Sequence, residues 1–236
     1  MLCAKNLTKH HGTHQALDDV SFTVAPGEIY CLLGANGAGK STTIKLFLGF
    51  MAPTSGSAEV DGLNAELEPQ AVRQRLLYIP EMVALYEELT GYENLDYFAR
   101  LAKVPDRSPE RLHEALKAAG LKAEVLDRRV GQYSKGMRQK VGIALAIVKE
   151  AKALLLDEPT SGLDPEASAE FHDLLVRQRD RGAAILMATH DLFRAREVAT
   201  TIGLMQAGRL RRTLKADTIT ANDLESLYLE EMSRHR

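Results

Sequence analysis

Gly34-Ala-Asn-Gly-Ala-Gly-Lys-Ser-Thr42 is the stretch that decides how the rest of the chain is interpreted. It fits the phosphate-loop pattern G-x-x-x-x-G-K-[ST], in which glycines leave backbone N–H groups free to surround a polyphosphate. Residues 28–33 before it predict a short buried strand, and residues 41–50 predict a helix. Such a helix directs its N-terminal N–H groups and the positive end of its dipole at the same anion. We therefore predict a strand–loop–helix unit that binds the phosphates of a nucleotide.

The loop residues have distinct expected roles. The Lys40 ammonium is placed to reach the terminal phosphates as a catalytic point charge, and the Ser41 hydroxyl is placed to bind Mg²⁺. A chance glycine-rich turn is the alternative, but the strand before it and the helix after it favour a phosphate loop. The residues expected to contact the nucleotide here are Gly34, Ala35, Asn36, Gly37, Ala38, Gly39, Lys40, Ser41 and Thr42.

Composition and charge narrow the class of protein. The chain has 236 residues, of which 45% are hydrophobic and 26% charged, and these values are typical of a soluble globular protein. Its formal net charge of −2 gives no strong field for nucleic acid or an anionic membrane surface. No apolar run of about 18 residues predicts a membrane span, and the N-terminus shows no signal-peptide pattern. Cys3 and Cys31 form no paired motif, which favours reduced thiols in the cytosol.

The chain alternates strands and helices, with one helical insertion. Residues 1–33 predict three strands, and Pro26-Gly27 predicts the turn before the third. From about 90 to 135 the pattern is helical, because Thr90 and Glu93 have capping-box spacing and Pro109 suits a first helical position. We predict further helices over 134–149, 165–181, 192–198 and 221–232, and further strands over 153–157, 183–188, 201–205 and 208–214.

Asp157 and Glu158 are two adjacent carboxylates that also indicate nucleotide chemistry. They directly follow the apolar run Leu154-Leu-Leu156, which predicts a buried parallel strand. Ligands of open α/β sheets bind at the carboxyl ends of such strands. Mg²⁺ takes oxygen ligands and keeps several waters, so we expect Asp157 to hold the metal through water. Glu158 points elsewhere and is placed to polarise a water aimed at the γ-phosphate.

Ser134-Lys-Gly-Met-Arg-Gln139 resembles the signature motif of ATP-binding cassette (ABC) ATPases, usually written L-S-G-G-Q. Ser134 and Gly136 hold the matching serine and second glycine, whereas Lys135 and Met137 replace the first glycine and the glutamine. This variant is familiar in the exporter-type branch of the family. The resemblance implies an anion site, built from Ser134 and the N–H groups of the following helix, that faces the γ-phosphate held by a partner cassette. Taken alone, the stretch would be only a helix N-cap.

Further stretches occupy places that the family pattern requires. Ser161-Gly-Leu-Asp164 looks like the D-loop, which crosses the dimer interface, and His190 looks like the switch histidine that contacts the γ-phosphate. Glu81 stands where the Q-loop normally has glutamine, so it keeps an oxygen for Mg²⁺ but adds a negative charge. His11, before Gly12, holds the place where the family often has an aromatic residue that stacks on adenine.

The resemblance covers about residues 2–215 and implies an α/β fold: a P-loop NTPase core with an N-terminal antiparallel β subdomain and a helical subdomain at about 85–150. Residues 216–236 would form a short C-terminal helical tail. The resemblance further implies ATP and Mg²⁺ as cofactors, with hydrolysis by Lys40, Glu158 and His190. The implied partners are a second cassette, either another copy or a homologue, and a separate transmembrane permease. The expected location is the cytoplasmic face of the cell membrane.

Two other functional classes compete with that of an exporter subunit. A soluble ABC ATPase that acts on nucleic acid or the ribosome usually carries a second cassette, a long coiled coil or a zinc insertion. This sequence shows a single cassette and a net charge of only −2. A nucleotide-binding regulator without turnover would not need Glu158 and His190. We therefore expect a transporter subunit, with no nucleic acid as partner.

Overall fold

The computed structural model describes residues 1–233, which contain ten β-strands and eight α-helices. The strands are β1 (Leu2–His11), β2 (His14–Val24), β3 (Ile29–Leu33), β4 (Ser55–Val60), β5 (Leu63–Asn64), β6 (Leu76–Ile79), β7 (Ala153–Asp157), β8 (Ala184–Thr189), β9 (Thr201–Gln206) and β10 (Arg209–Lys215). The helices are α1 (Lys40–Phe47), α2 (Pro69–Arg75), α3 (Gly91–Leu101), α4 (Pro109–Ala118), α5 (Lys135–Lys149), α6 (Pro165–Asp180), α7 (Leu192–Val198) and α8 (Ala221–Ser233).

The chain forms two compact units. The first contains Met1–Tyr78, Lys152–Glu158 and the chain from Arg179 onward, and the second contains Ile79–Ala151 and Pro159–Gln178. The helical segment predicted at about 85–150 falls within the second unit. That unit also takes in most of α6, which the sequence pattern did not assign to it.

The first unit is built on two sheets. Strands in the order β2-β1-β4-β5 form an antiparallel sheet, as predicted for the N-terminal region. The second sheet has the order β10-β9-β3-β8-β7-β6, and β3, β8 and β7 are paired in parallel. These three strands are almost entirely buried, as expected for parallel strands covered on both faces. The fold is the predicted mixed α/β architecture.

The parallel strands bring three sequence motifs to one edge of the sheet. The phosphate loop follows β3, Asp157 ends β7, and His190 follows β8. Leu33 pairs with Thr189, and Asp157 pairs with Ala188, so the carboxyl ends of these neighbouring strands lie level. Loops after the carboxyl ends of adjacent parallel strands form the usual ligand site of α/β proteins.

The first helix begins where the phosphate loop ends. It runs over Lys40–Phe47 and ends before residue 50, the end that the apolar pattern predicted. Gly49, at φ 64°, takes a left-handed conformation that ends the helix.

The second unit is mainly helical. Thr90 accepts from the Glu93 N–H while the Glu93 side chain accepts from the Thr90 N–H, which is the predicted capping box at the start of α3. Pro109 begins α4, also as predicted. Leu95 on α3, together with Leu112 on α4, is fully buried and anchors the apolar faces of these helices. Within residues 1–233 no helix is long and apolar enough to cross a membrane.

Candidate nucleotide-binding and hydrolysis site

The phosphate loop has a backbone path that requires glycine. Gly37 and Gly39 have φ values of 81° and 106°, in the left-handed region that L side chains rarely adopt. A Cβ on Gly34 would lie 2.2 Å from the Met205 carbonyl oxygen, so the loop backbone packs directly on β9. Ala35, Asn36 and Gly37 are exposed at the tip of the loop, Ala38 is buried, and Ser41 and Thr42 lie in the first turn of α1.

Gly39→Ala is expected to distort this loop, because an added Cβ would lie 2.7 Å from the Ala16 carbonyl oxygen. Gly37→Ala is the matched control, since its φ is also positive but nothing lies within 4 Å of an added Cβ. The control should lose about 1 kcal/mol of unfolding free energy to left-handed strain, and Gly39→Ala about 3 kcal/mol once overpacking is added. Urea denaturation measures both losses, and equal losses would show that crowding at residue 39 is unimportant.

Lys40 is the buried cation of the loop. Its side chain is 6% exposed, and Nζ donates to the carbonyl oxygens of Gly34 at 2.6 Å and Ala35 at 3.2 Å. Burial lowers the pKa of Lys40, while the Glu158 carboxylate, 3.8 Å from Nζ, favours the charged form. The ammonium is therefore held inside the loop by carbonyl oxygens that phosphate oxygens could replace.

Asp157 lies beside the first turn of α1. The Ser41 hydroxyl donates to its Oδ1 at 3.2 Å, which joins the phosphate-loop motif to the end of β7. Burial raises the pKa of Asp157, and the neighbouring Glu158 charge adds to the rise, whereas the Ser41 hydrogen bond lowers it. A carboxylate and a hydroxyl in contact provide the hard oxygen donors that Mg²⁺ prefers, so these residues fit that metal. No cluster of three or more His, Cys, Asp or Glu metal ligands occurs among residues 1–233.

Glu158 is held in an uncommon conformation immediately after β7. Its φ is 48°, and its N–H donates to the Ala188 carbonyl oxygen at 2.9 Å. The carboxylate accepts from Thr189 Oγ1 at 3.1 Å and from His190 Nδ1 at 2.9 Å. Non-glycine residues at positive φ are strained, and surrounding contacts must maintain them. The strained backbone and the two hydrogen bonds fix the Glu158 carboxylate beside the exposed His190 ring and the Lys40 ammonium.

Ser134, Gly136 and Asp164 lie in the second unit. Ser134 is exposed and caps α5, accepting from the Met137 N–H at 3.2 Å. Gly136 is buried near the start of α5, where an added Cβ would lie 3.4 Å from the Ala167 Cβ. Asp164 is exposed and accepts from the Ala167 N–H at 2.8 Å, at the start of α6. Each helix therefore begins with an exposed side-chain oxygen that accepts from a backbone N–H of its first turn.

Glu81 and His11 are the two remaining residues with a predicted role in the site. The Glu81 carboxylate is 3.5 Å from Lys135 Nζ, within the second unit. The carboxylate that is predicted to bind Mg²⁺ therefore forms an ion pair with a lysine. His11 is exposed at the end of β1, opposite His14, where Gly12 with φ 59° turns the hairpin. Stacking of His11 on adenine stays a prediction, as does metal binding by Glu81.

Two contacts involve residues outside the predicted site. Thr189 holds the Glu158 carboxylate and in turn accepts from the Asp191 N–H at 3.1 Å. Lys135 Nζ donates to the Ser161 carbonyl oxygen at 2.5 Å. A threonine directly before His190 was the available signal for the first contact. The second joins residues that are distant in sequence, and no local pattern indicates it.

Comparisons with known proteins agree on one family. The sequence model described as ABC transporter matches residues 17–161. The uncharacterized ABC transporter ATP-binding protein YhcH of Bacillus subtilis is 36% identical over 232 residues, which cover 97% of this chain and 75% of that protein. The bacitracin transport ATP-binding protein BcrA of Bacillus licheniformis is 34% identical, covering 95% of this chain and 72% of that protein.

One similar solved structure contains the products of ATP hydrolysis. The dimeric, post-hydrolysis form of the ATP-binding cassette MJ0796, bound to ADP and Pi, is 26% identical and superposes with a TM-score of 0.80. The match covers 92% of this chain and 99% of that one.

Proposed function

The chain belongs to the ABC transporter family as an ATP-binding subunit with ATPase activity, and from this premise we propose that it powers export through a separate membrane permease. The observation that carries the proposal is the convergence of Lys40, Asp157, Glu158 and His190 at the ends of neighbouring parallel strands. Members of this family work as dimers of cassettes together with permease subunits.

Each side chain of the hydrolysis site has a separate role in the proposed reaction. Lys40 and the loop N–H groups stabilise charge on the transferring phosphoryl group. Glu158 positions and polarises the attacking water, and His190 holds the γ-phosphate. Ser41 and Asp157 would hold Mg²⁺, which neutralises phosphate charge when bound. Gly34, Ala35, Asn36, Gly37, Ala38, Gly39 and Thr42 line the phosphates, and His11 covers the adenine.

Asp157→Asn is expected to weaken Mg²⁺ binding, because the amide keeps the shape of the side chain but loses its charge. The Mg²⁺ concentration for half-maximal ATPase activity should rise by about 10-fold or more, the usual cost of losing an outer-sphere partner. Asp61→Asn, after β4, is the control and should leave the titration unchanged. An unchanged midpoint for Asp157→Asn would remove this residue from the metal site, and EDTA should abolish activity in every active protein.

The facing cassette supplies the other half of each site. We place Ser134 and Gly136 of one chain against the γ-phosphate held by Lys40 of the other, with Asp164 at the interface. The exposed Ser134 cap at the N-terminus of α5, where a helix favours anions, supports this role. The facing chain is a second copy or a homologous cassette. Residues 1–215 form the nucleotide-binding domain in this proposal, and residues 216–233 form a C-terminal tail that contains α8. The last three residues of the predicted tail, 234–236, lie outside the described residues.

The direction of transport rests on two observations. The Ser134–Gln139 signature variant resembles exporter ATPases, and BcrA, a bacitracin transport ATP-binding protein, is among the relatives. On this basis we propose that this chain powers export. We also propose that its activity depends on Mg²⁺ and that it works at the cytoplasmic face of the membrane. An ATPase that acts on nucleic acid is disfavoured by the net charge of −2.

The permease contact is testable on exposed apolar side chains that follow Glu81 in the sequence or lie on α3. Met82, Tyr86 and Tyr97 are 78%, 50% and 38% exposed, and the two tyrosine rings pack edge to face with centroids 4.9 Å apart. Exposed aromatic clusters often anchor protein interfaces. Met82→Ser with Tyr97→Ser should therefore lower copurification of a membrane protein by about 10-fold or more.

The control for that experiment is Phe50→Ser, because Phe50 is 62% exposed on the first unit. It should leave copurification unchanged. If the wild-type chain brings down no integral membrane protein, the transporter assignment fails. If a membrane protein is retained equally by all variants, only the assigned surface is wrong.

A further inference from the structure

Two departures from the usual family pattern lie side by side in the second unit. Glu81 replaces the Q-loop glutamine, and Lys135 replaces the first glycine of the signature. Lys135 Nζ lies 3.5 Å from Glu81 Oε1 and also donates to the Ser161 carbonyl oxygen at 2.5 Å. One ammonium therefore contacts the Q-loop and the D-loop from the residue next to Ser134.

The position of Lys135 on its helix is electrostatically unfavourable by itself. It is the first helical residue of α5, whose first turn carries no acidic side chain. The positive end of a helix dipole disfavours cations. Arg138, in the same turn, adds a second cation and pairs with Glu87 at 3.2 Å. The segment from Glu81 to Glu87 thus supplies the carboxylates that the start of α5 lacks.

The Q-loop backbone is attached to the same helix. Gln139 is fully buried, and its Nε2 donates to the carbonyl oxygens of Pro80 at 3.1 Å and Glu81 at 3.0 Å. These bonds fix the path of residues 80–81 along α5, so the Glu81 side chain reaches Lys135 from a defined backbone. A shift of this loop would move the ammonium that lies beside Ser134.

We infer that Lys135 is a positioning residue of the signature site and that Glu81 and Lys135 act as a matched pair. The pair links the Q-loop and the D-loop to the Ser134 cap. This inference rests on the proposed function, in which Ser134 acts on the nucleotide of a facing chain. The Lys135 and Glu81 side chains are 30% and 53% exposed, so their attraction adds little to folding stability. We expect the pair to act instead on the position of the Ser134 cap.

A double-mutant cycle in the full chain tests the pair. Glu81→Gln and Lys135→Met should each lower the ATPase kcat by about 10-fold, because small misplacements of a reacting geometry are costly. The double variant should lose about 10-fold as well, well short of the product of the single losses, since both changes break one link. For Lys135→Met, KM for MgATP should stay within about twofold, because the phosphate loop and the predicted metal ligands are untouched. Lys135→Arg keeps the charge and the donor and should retain most activity.

A second readout separates positioning from folding. In a Glu158→Gln background, Lys135→Met should raise the protein concentration needed for ATP-dependent dimerisation, with an unchanged melting temperature. Lys140→Met is the matched control, since it removes a 2.6 Å ion pair with Glu170 from the next turn of α5. Lys140→Met should leave kcat, and dimerisation in the Glu158→Gln background, within about twofold of the unmodified values, because Lys140 is not part of the Glu81–Lys135 pair.

The outcomes distinguish this inference from the proposal beneath it. Losses that multiply in the double variant, an unchanged kcat for Lys135→Met, or a rise in KM alone would overturn the matched pair. A wild-type chain without ATPase activity would instead overturn the proposed function itself.

Discussion

Glu158→Gln is expected to lower the ATPase rate by about 10³-fold, because general-base groups contribute about 10²–10⁴-fold. The amide keeps the size of the side chain and can still accept from Thr189, but it cannot take a proton from water. ATP binding should persist or tighten, since the change removes a negative charge that lies 3.8 Å from the Lys40 ammonium. Steady-state phosphate release and equilibrium nucleotide binding, measured on one preparation, separate the two effects.

The control for this variant is Glu59→Gln, which removes a partly exposed carboxylate paired with the exposed Lys5 at 2.8 Å on the antiparallel sheet. It should leave the rate within about twofold, as exposed ion pairs contribute little. If Glu158→Gln kept most of the activity, Glu158 would lose its assigned role. The strained φ of 48° would then need another explanation.

Lys40→Met is expected to cause the second large loss. It removes the buried ammonium but keeps a stem of similar length, so the packing inside the loop is largely retained. Loss of charge-assisted phosphate contacts should weaken ATP binding by about 30- to 150-fold. Loss of charge stabilisation should also lower the rate at saturating ATP by about 10²–10³-fold. Calorimetric titration with ATP and a saturating ATPase assay measure these two numbers.

Lys45→Met is the matched control for Lys40→Met, because Lys45 lies on the same helix but is exposed. ATP affinity and turnover should both stay within about twofold of the wild-type values, as is usual for surface substitutions. Equal losses in the two lysine variants would mean that general charge at α1, and not the ammonium within the loop, governs nucleotide binding.

The strand–loop–helix unit and the strand-end carboxylates were predictable because their signals are local. A glycine-rich loop between an apolar run and a helix allows few backbone paths, and the structure has β3 and α1 on either side of it. The capping box of Thr90 with Glu93 was equally local, and it is confirmed. Asp157 ends a strand that the apolar run had already marked as buried and parallel.

Other features depend on contacts that no local pattern encodes. The register of β7 against β8 places Thr189 beside Glu158, and residue types alone do not fix a register. The link from Lys135 to Ser161 joins the start of α5 to a loop that is distant in sequence. In the sequence, Lys135 is recognised only as a replacement of the first signature glycine. Its partners Glu81 and Ser161 can be identified only from the tertiary structure.

The central claim is that Ser134 of one chain acts on the γ-phosphate held by another. Its most direct test compares the masses of Glu158→Gln and Glu158→Gln/Ser134→Asp in saturating MgATP by sedimentation. Aspartate preserves the cap of α5 but repels the phosphate of a facing chain. Residue 134 lies outside the phosphate loop, so the monomers of the two proteins should have similar intrinsic affinity for ATP. We predict that Glu158→Gln doubles its mass from 26.0 kDa while the double variant stays monomeric. Doubled masses for both proteins would contradict the claim, whereas single masses for both would exclude a second copy as the facing chain.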